Sequence, residues 1–175
     1  MSVVIRSAAP GDEALVLSLV RELAAYEELA HQVEATEAGL AEALFEGAPR
    51  VFCDIAEKDG APAGFALWFY TFSTFRGRHG IYLEDVFVRP PFRGLGIGRA
   101  LLERLAARCV AEGLGRFEWS VLNWNAPSIA FYKSLGAVAM DGWTMYRMDG
   151  DALARLGTGA ASRAGRRAGD EDGTK

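Results

Sequence analysis

Val86-Phe87-Val88-Arg89-Pro90-Pro91-Phe92-Arg93-Gly94-Leu95-Gly96-Ile97-Gly98-Arg99 is the stretch on which the reading of the fold turns. A β-branched and aromatic run meets a proline pair, three glycines follow at alternate positions, and an amphipathic segment begins. Neither proline can donate to a strand ladder, so the strand stops there. Glycines at 94, 96 and 98 let the backbone approach a ligand closely. The first amides of the helix that follows have no acceptor within it. Such a turn binds anions through those donors and the positive end of the helix dipole. Arg93 and Arg99 add charge-assisted donors. Two better-known phosphate loops do not fit. A Gly-Lys-Ser/Thr ending is missing, since Gly98 leads into Arg99-Ala100, and a GxGxxG count from Gly94 ends on Arg99. Three glycines alone also describe a simple tight turn.

Outward from the loop, the segments alternate in type. On its N-terminal side, Ile81–Val88 reads as a strand, and Val51–Glu57 and Pro62–Phe72 as two more joined at Lys58-Asp59-Gly60. Val3–Arg6 reads as a short strand. A helix from Pro10-Gly11-Asp12 to Leu29 carries Leu15, Leu19 and Leu23 on one face. Thr36 is placed to cap a second helix ending at Phe45. Beyond the loop come a helix Arg99–Glu112 stopped by Gly113, a strand Phe117–Leu122, a helix Pro127–Leu135 and a last strand Trp143–Met148. The domain is expected over residues 1–156. The segment 157–175, with no aromatic or large aliphatic residue, is expected to be a flexible tail.

Composition narrows the function classes. The 175 residues are half hydrophobic and a quarter charged, enough for a core that needs no disulfide or metal. The longest apolar run, Phe65 to Phe72, is far too short for a membrane span. The N-terminus shows no basic-then-apolar leader, so a cytoplasmic protein is expected. Cys53 and Cys109 form no CxxC or Cys/His pattern and read as buried small hydrophobes; His31 and His79 have no ligand spacing, so no metal is expected. Residues 1–85 hold 14 acidic and 6 basic side chains, residues 86–157 hold 6 and 9. An acidic front beside a basic back suits a cationic ligand on one side and an anionic one on the other. The overall balance, −4, and the lack of a basic stripe argue against nucleic acid.

Arg93-Gly94-x-Gly96-x-Gly98 after a Val-Phe-Val strand resembles the acetyl-CoA pyrophosphate loop of the GNAT N-acetyltransferases. Ala25-Tyr26-Glu27, Tyr82-Leu83-Glu84-Asp85 and Trp124-Asn125-Ala126-Pro127-Ser128-Ile129-Ala130-Phe131-Tyr132-Lys133 resemble the diamine (spermidine/spermine) acetyltransferase branch, in the same order. The resemblance implies an α/β GNAT fold, a mixed, bent central sheet flanked by helices, with acetyl-CoA as cosubstrate and a homodimer as partner state. It implies that the backbone of Val86, Phe87 and Val88 borders the pantetheine arm. Arg93, Gly94, Leu95, Gly96, Ile97, Gly98 and Arg99 would hold the pyrophosphate, and Asn125, Ala126, Pro127 and Ser128 would line the cofactor's other side. Tyr132 would be the general acid that protonates the departing thiolate, and Glu84 the proton acceptor, directly or through water. Tyr26, Glu27, Glu84, Asp85 and Asp141 would contact the amine.

The chemistry explains the need for those carboxylates. An alkyl ammonium with a pKa of about 10.4 costs about 4–5 kcal/mol to deprotonate at pH 7. A carboxylate must bind the cation and a group must take its proton. Glu84 and Asp85 are adjacent on a strand, so alternation sends them to opposite faces and one alone faces the pocket. Arg76 and Arg78 stand where the diamine enzymes carry a tryptophan-bearing stretch. At a pocket mouth they would repel a long polycation and could hold a carboxylate. The sequence therefore points to acetyl transfer onto a small primary amine, polyamine, diamine or lysine-like such as thialysine, by direct attack in a ternary complex. Acetylation of protein lysines or N-termini, and a non-catalytic acyl-CoA-binding protein on the same fold, are the alternatives.

Overall fold

The computed structural model describes residues 2–158. The chain divides into two compact units, with the break between Trp124 and Asn125. The first unit holds a five-stranded sheet in sequence order: β1 (Val3–Ser7), β2 (Phe52–Lys58), β3 (Ala61–Ser73), β4 (Arg78–Val88) and β5 (Phe117–Trp119). The first four are antiparallel to their neighbours, and β4 and β5 are parallel. Helices α1 (Glu13–Tyr26) and α2 (Glu37–Phe45) cover one face. Helix α3 (Ile97–Ala111) covers the other through Ile97, Leu101, Leu102 and Leu105, all buried. The mixed sheet with helices on both faces is the architecture expected.

Local chemistry sets the elements. Thr36 Oγ1 accepts from the Gly39 amide at 3.1 Å and starts α2 as anticipated. Asp59 and Gly60, both at positive φ, make the two-residue turn between β2 and β3. Where β3 runs beside β4, a Cβ on Gly64 would lie 2.3 Å from the Phe87 carbonyl oxygen, so only glycine fits there. Helix α1 is shorter than expected. It ends at Tyr26, and Glu28 adopts φ 62°.

One core gathers Val16, Leu19, Leu23, Leu44, Ile55, Phe65, Leu67 and Phe87 between the sheet and α1–α2. On the α3 face a buried carboxylate ties three elements. Asp54 accepts from Trp68 Nε1 at 3.0 Å, Arg104 Nε at 2.9 Å and Ser7 Oγ at 3.2 Å. Asp54→Ala leaves a buried indole donor and a guanidinium without their acceptor, and is expected to lower unfolding free energy by about 3 kcal/mol in urea titration.

In the second unit, α4 (Ala126–Ser134) forms where expected and residues 150–158 form a further helix. The strand expected over Trp143–Met148 is absent, because β-type residues supply no partner backbone and these pair with none among the described residues. Likewise β5 ends at Trp119 rather than Leu122. Of the tail expected from Gly157, residues 159–175 lie outside the described residues.

Candidate functional site

The pairing of β4 with β5 covers Ile81, Tyr82 and Leu83 only. From Glu84 to Val88 β4 keeps its antiparallel partner β3 while β5 has ended, so among the described residues the other edge of β4 has no strand partner. The parallel pair therefore parts beyond Leu83, and the main chain of Val86, Phe87 and Val88 has no strand partner on that side among the described residues.

At the end of that edge the glycine loop opens α3. Gly94 and Gly96 have φ of 75° and 80°, a left-handed bend that ordinary residues resist, and nothing lies within 4 Å of where their Cβ atoms would be. Gly96 caps the helix, whose first bond runs from the Ala100 amide to the Gly96 carbonyl at 3.0 Å. Among the described residues no acceptor faces the amides from Gly94 to Arg99. Six main-chain donors, open space before two glycines and a helix dipole are what a diphosphate requires. The loop fits the group its sequence implies. Arg99 is exposed, with Glu103 at 3.6 Å.

On the α1 side of the sheet an acidic cluster forms at Tyr26-Glu27. The ladder has a bulge in which Leu67 faces Asp85 and Trp68 faces Leu83, leaving Glu84 as the extra residue. Period-two alternation therefore does not separate Glu84 from Asp85, contrary to the expectation. Asp85 lies opposite Leu67, on the face shared with Phe87 and the α1 core, while Glu84 is exposed. Burial above all, then the charges of Glu84 and Glu27, push the Asp85 carboxyl up to about 6. Burial also raises Glu27. An ion pair fixes α1 over this cluster: Arg89 Nη2 meets Glu22 Oε1 at 2.6 Å and Arg89 Nη1 donates to the Pro62 carbonyl at 2.9 Å.

Arg93 stacks on the ring that precedes Glu27. Its guanidinium carbon sits 4.7 Å from the Tyr26 ring centre and 5.6 Å from that of Phe87, and Nε donates to the Val88 carbonyl at 2.9 Å. Sequence reading placed Arg93 on the phosphate side; its stacking on Tyr26 has no local sequence signal. Trp124 flanks Tyr26 with ring centres 6.0 Å apart. Arg76 and Arg78 are elsewhere. Arg78 begins β4, about 20 Å along the strand from Asp85, and Arg76 Nη1 is held by the Gly115 carbonyl at 2.7 Å. They do not line the acidic cluster.

In the second unit, Asn125 Oδ1 accepts from the Ser128 amide at 3.3 Å and caps α4, with Pro127 in its first turn. Asn125, Ser128 and Tyr132, at i, i+3 and i+7, share one helix face. Asp141 lies exposed in a turn. Burial raises both thiols, Cys53 to about 12, which suits inert packing rather than nucleophiles. Among the described residues no three His, Cys, Asp or Glu side chains group to hold a metal ion, and no helix is long and apolar enough to cross a membrane.

A phosphate-cradling loop at a splayed parallel pair defines an acyl-CoA transferase fold, and residues 16–137 match the model of the acetyltransferase (GNAT) family. The chain belongs to that family and is an acetyl-CoA-dependent N-acetyltransferase. It is 37% identical to the thialysine N-epsilon-acetyltransferase of Sus scrofa, over 89% of this chain and 97% of that protein. It is 32% identical to the L-ornithine N5-acetyltransferase of Arabidopsis thaliana, over 85% of each. A solved integron cassette protein from the mobile metagenome of V. cholerae superposes with a TM-score of 0.75 at 28% identity, covering 90% of this chain and 98% of that one.

The left-handed bend gives one prediction for donor binding. Gly96→Val forces a β-branched residue to about φ 80° at a strain of roughly 1–2 kcal/mol. Relaxing that strain disperses the amides, so calorimetry is expected to show coenzyme A binding weakened roughly five- to thirty-fold.

Proposed function

We propose that this enzyme acetylates the side-chain amine of a small amino acid of lysine or ornithine type. The observation that carries the reading is the half-buried Asp85, set with Glu84 and Glu27 beside the freed edge of β4. The names of the relatives, acting on thialysine and on ornithine, support it.

Glu27 and Asp85 bind the ammonium. Glu84, the bulge residue, accepts its proton, directly or through water, and so helps offset the cost of about 4–5 kcal/mol of reaching the neutral amine. The main chain of Val86 to Val88 and the amides of Gly94 to Arg99 hold acetyl-CoA, with the Asn125–Ser128 turn along its other side. When bound, that molecule supplies a thioester and a thiolate leaving group. Tyr132 Oη donates a proton at the leaving sulfur. No cysteine is placed to carry an acetyl group, so the amine attacks directly in a ternary complex. Asp141 is read as a further acidic contact for the amine.

The catalytic domain is read as residues 1–156 with 157–175 appended, working in the cytoplasm as a homodimer. The exposed Phe72 and Phe75 of the Phe65–Phe75 segment favour pairing. A thiol-release assay across thialysine, lysine, ornithine, diamines, spermidine, spermine and peptides tests the function. Turnover highest on the amino acids is expected, and spermidine or spermine far ahead of them would overturn the substrate assignment.

A further inference from the structure

We propose that Arg116 and Glu118, at the start of β5, read the α-carboxylate and α-ammonium of the acceptor, so that the site takes a whole amino acid with its side-chain amine at Asp85. This rests on the amine-acetylation reading above and adds the groups that select the substrate. The register of the sheet brings both to the acceptor's side. Leu67 and Asp85 face the α1 core, and Phe69, two residues on in β3, shares their face. Tyr82 lies opposite Phe69, with ring centres 5.3 Å apart, and Glu118 lies opposite Tyr82. Arg116, two residues before Glu118, points the same way. A Cβ on Gly80 would meet its Cγ at 2.7 Å, so its stem crosses β4 where no side chain stands. The Tyr82 hydroxyl and Ser120 Oγ, 2.7 Å apart, end the row where β4 and β5 part. Tyr82, Arg116 and Glu118 are all partly exposed, so a ligand reaches them.

Charge and spacing both fit an amino acid. Arg116 Nε sits 2.6 Å from Glu118 Oε2, a fixed pair of opposite signs. The head of an amino acid is its complement: ammonium beside Glu118 and carboxylate beside Arg116 make a second pair, head to tail with the first. A diamine offers Glu118 an ammonium but sets it against Arg116, and an amino acid lacking the α-amine does the reverse. Tyr82 stands three positions before Asp85 with the bulge residue between, about 7–10 Å along β4, and β5 runs about 5 Å to the side. The backbones at Asp85 and Glu118 are thus roughly 9–11 Å apart. Six bonds separate the two nitrogens of extended lysine, about 7 Å. With a hydrogen bond of about 2.8 Å at each end, lysine bridges carboxylates up to about 12 Å apart.

The test measures thiol release with lysine, cadaverine, which lacks the carboxylate, and 6-aminohexanoate, which lacks the α-amine, in wild type, Arg116→Gln, Arg116→Lys and Glu118→Gln. Wild type is expected to prefer lysine about ten-fold in kcat/KM over each of the others. Arg116→Gln collapses the preference over cadaverine and leaves most of that over 6-aminohexanoate. Arg116→Lys, which keeps the charge without the fork, restores part of it. Glu118→Gln does the opposite, and the KM for acetyl-CoA stays put in all three. A merely structural role would lower all three acceptors together, and that outcome would overturn the proposal. Equal kcat/KM for lysine, cadaverine and 6-aminohexanoate in wild type would overturn it without any variant. Thiol release from none of the three would instead overturn the amine reading beneath it.

Discussion

Asp85→Asn is expected to make the protein more stable and the enzyme much worse. The Asp85 carboxyl holds its proton to about pH 6 in the folded chain, against an ordinary 3.8. Between those values the folded state binds more protons than the unfolded one, so stability falls as pH rises through the window. Above pH 6 the folded chain bears a penalty on the order of 3 kcal/mol for a buried, crowded charge. Asparagine removes that charge, and urea unfolding at pH 8 is expected to show a gain approaching this size, shrinking to nothing near pH 4. Catalysis moves the other way. In the proposed site the ionised carboxylate binds the ammonium, so wild-type kcat/KM is expected to climb with pH through about 6. In Asp85→Asn that limb vanishes and kcat/KM drops about 100-fold, mostly through KM. A variant with unchanged kcat/KM would remove Asp85 from the site. Glu84→Gln is expected to shift the limb to lower pH, because the Glu84 charge helps hold the Asp85 proton in place.

Tyr132→Phe carries the second large effect. Phenols are protonated at neutral pH and can donate at a sulfur that becomes a thiolate. Losing a positioned acid costs about 10²–10⁴-fold, and kcat is expected to fall within that range. Tyr132 shares a face of α4 with Asn125 and Ser128, and the cap that forms the turn is the Ser128 amide donating to Asn125 Oδ1. Coenzyme A affinity by calorimetry is therefore expected to stay within about two-fold of wild type, an energy change near RT ln 2. Full turnover in Tyr132→Phe would move the acid role to another donor.

The parts of this enzyme legible in its sequence are those governed by local constraints. Pro90 and Pro91 end β4 wherever they stand, and Gly94 and Gly96 are needed because the bend there requires positive φ. Thr36 and Asn125 cap their helices by contacts three residues long. Features that depend on a partner were not legible. Trp143–Met148 is rich in strand-forming residues, but a strand is a property of two backbones. The bulge at Glu84 follows from the register with β3, and nothing in Tyr82-Leu83-Glu84-Asp85 announces it. Arg93 sits in a phosphate-type motif, yet a long side chain can reach either way, and Tyr26, sixty-seven positions earlier, determines where it rests. Arg76 and Arg78 were near the acids in sequence only, since an extended strand carries seven residues about 20 Å.

The three-residue contact between β4 and β5 has an evolutionary consequence. In the proposed site the acyl donor is gripped through main-chain groups, indifferent to most side-chain replacements, whereas the choice of acceptor hangs on a few protruding groups around Tyr26. On that assignment a single substitution near Tyr26 is free to change the nucleophile while the donor is kept.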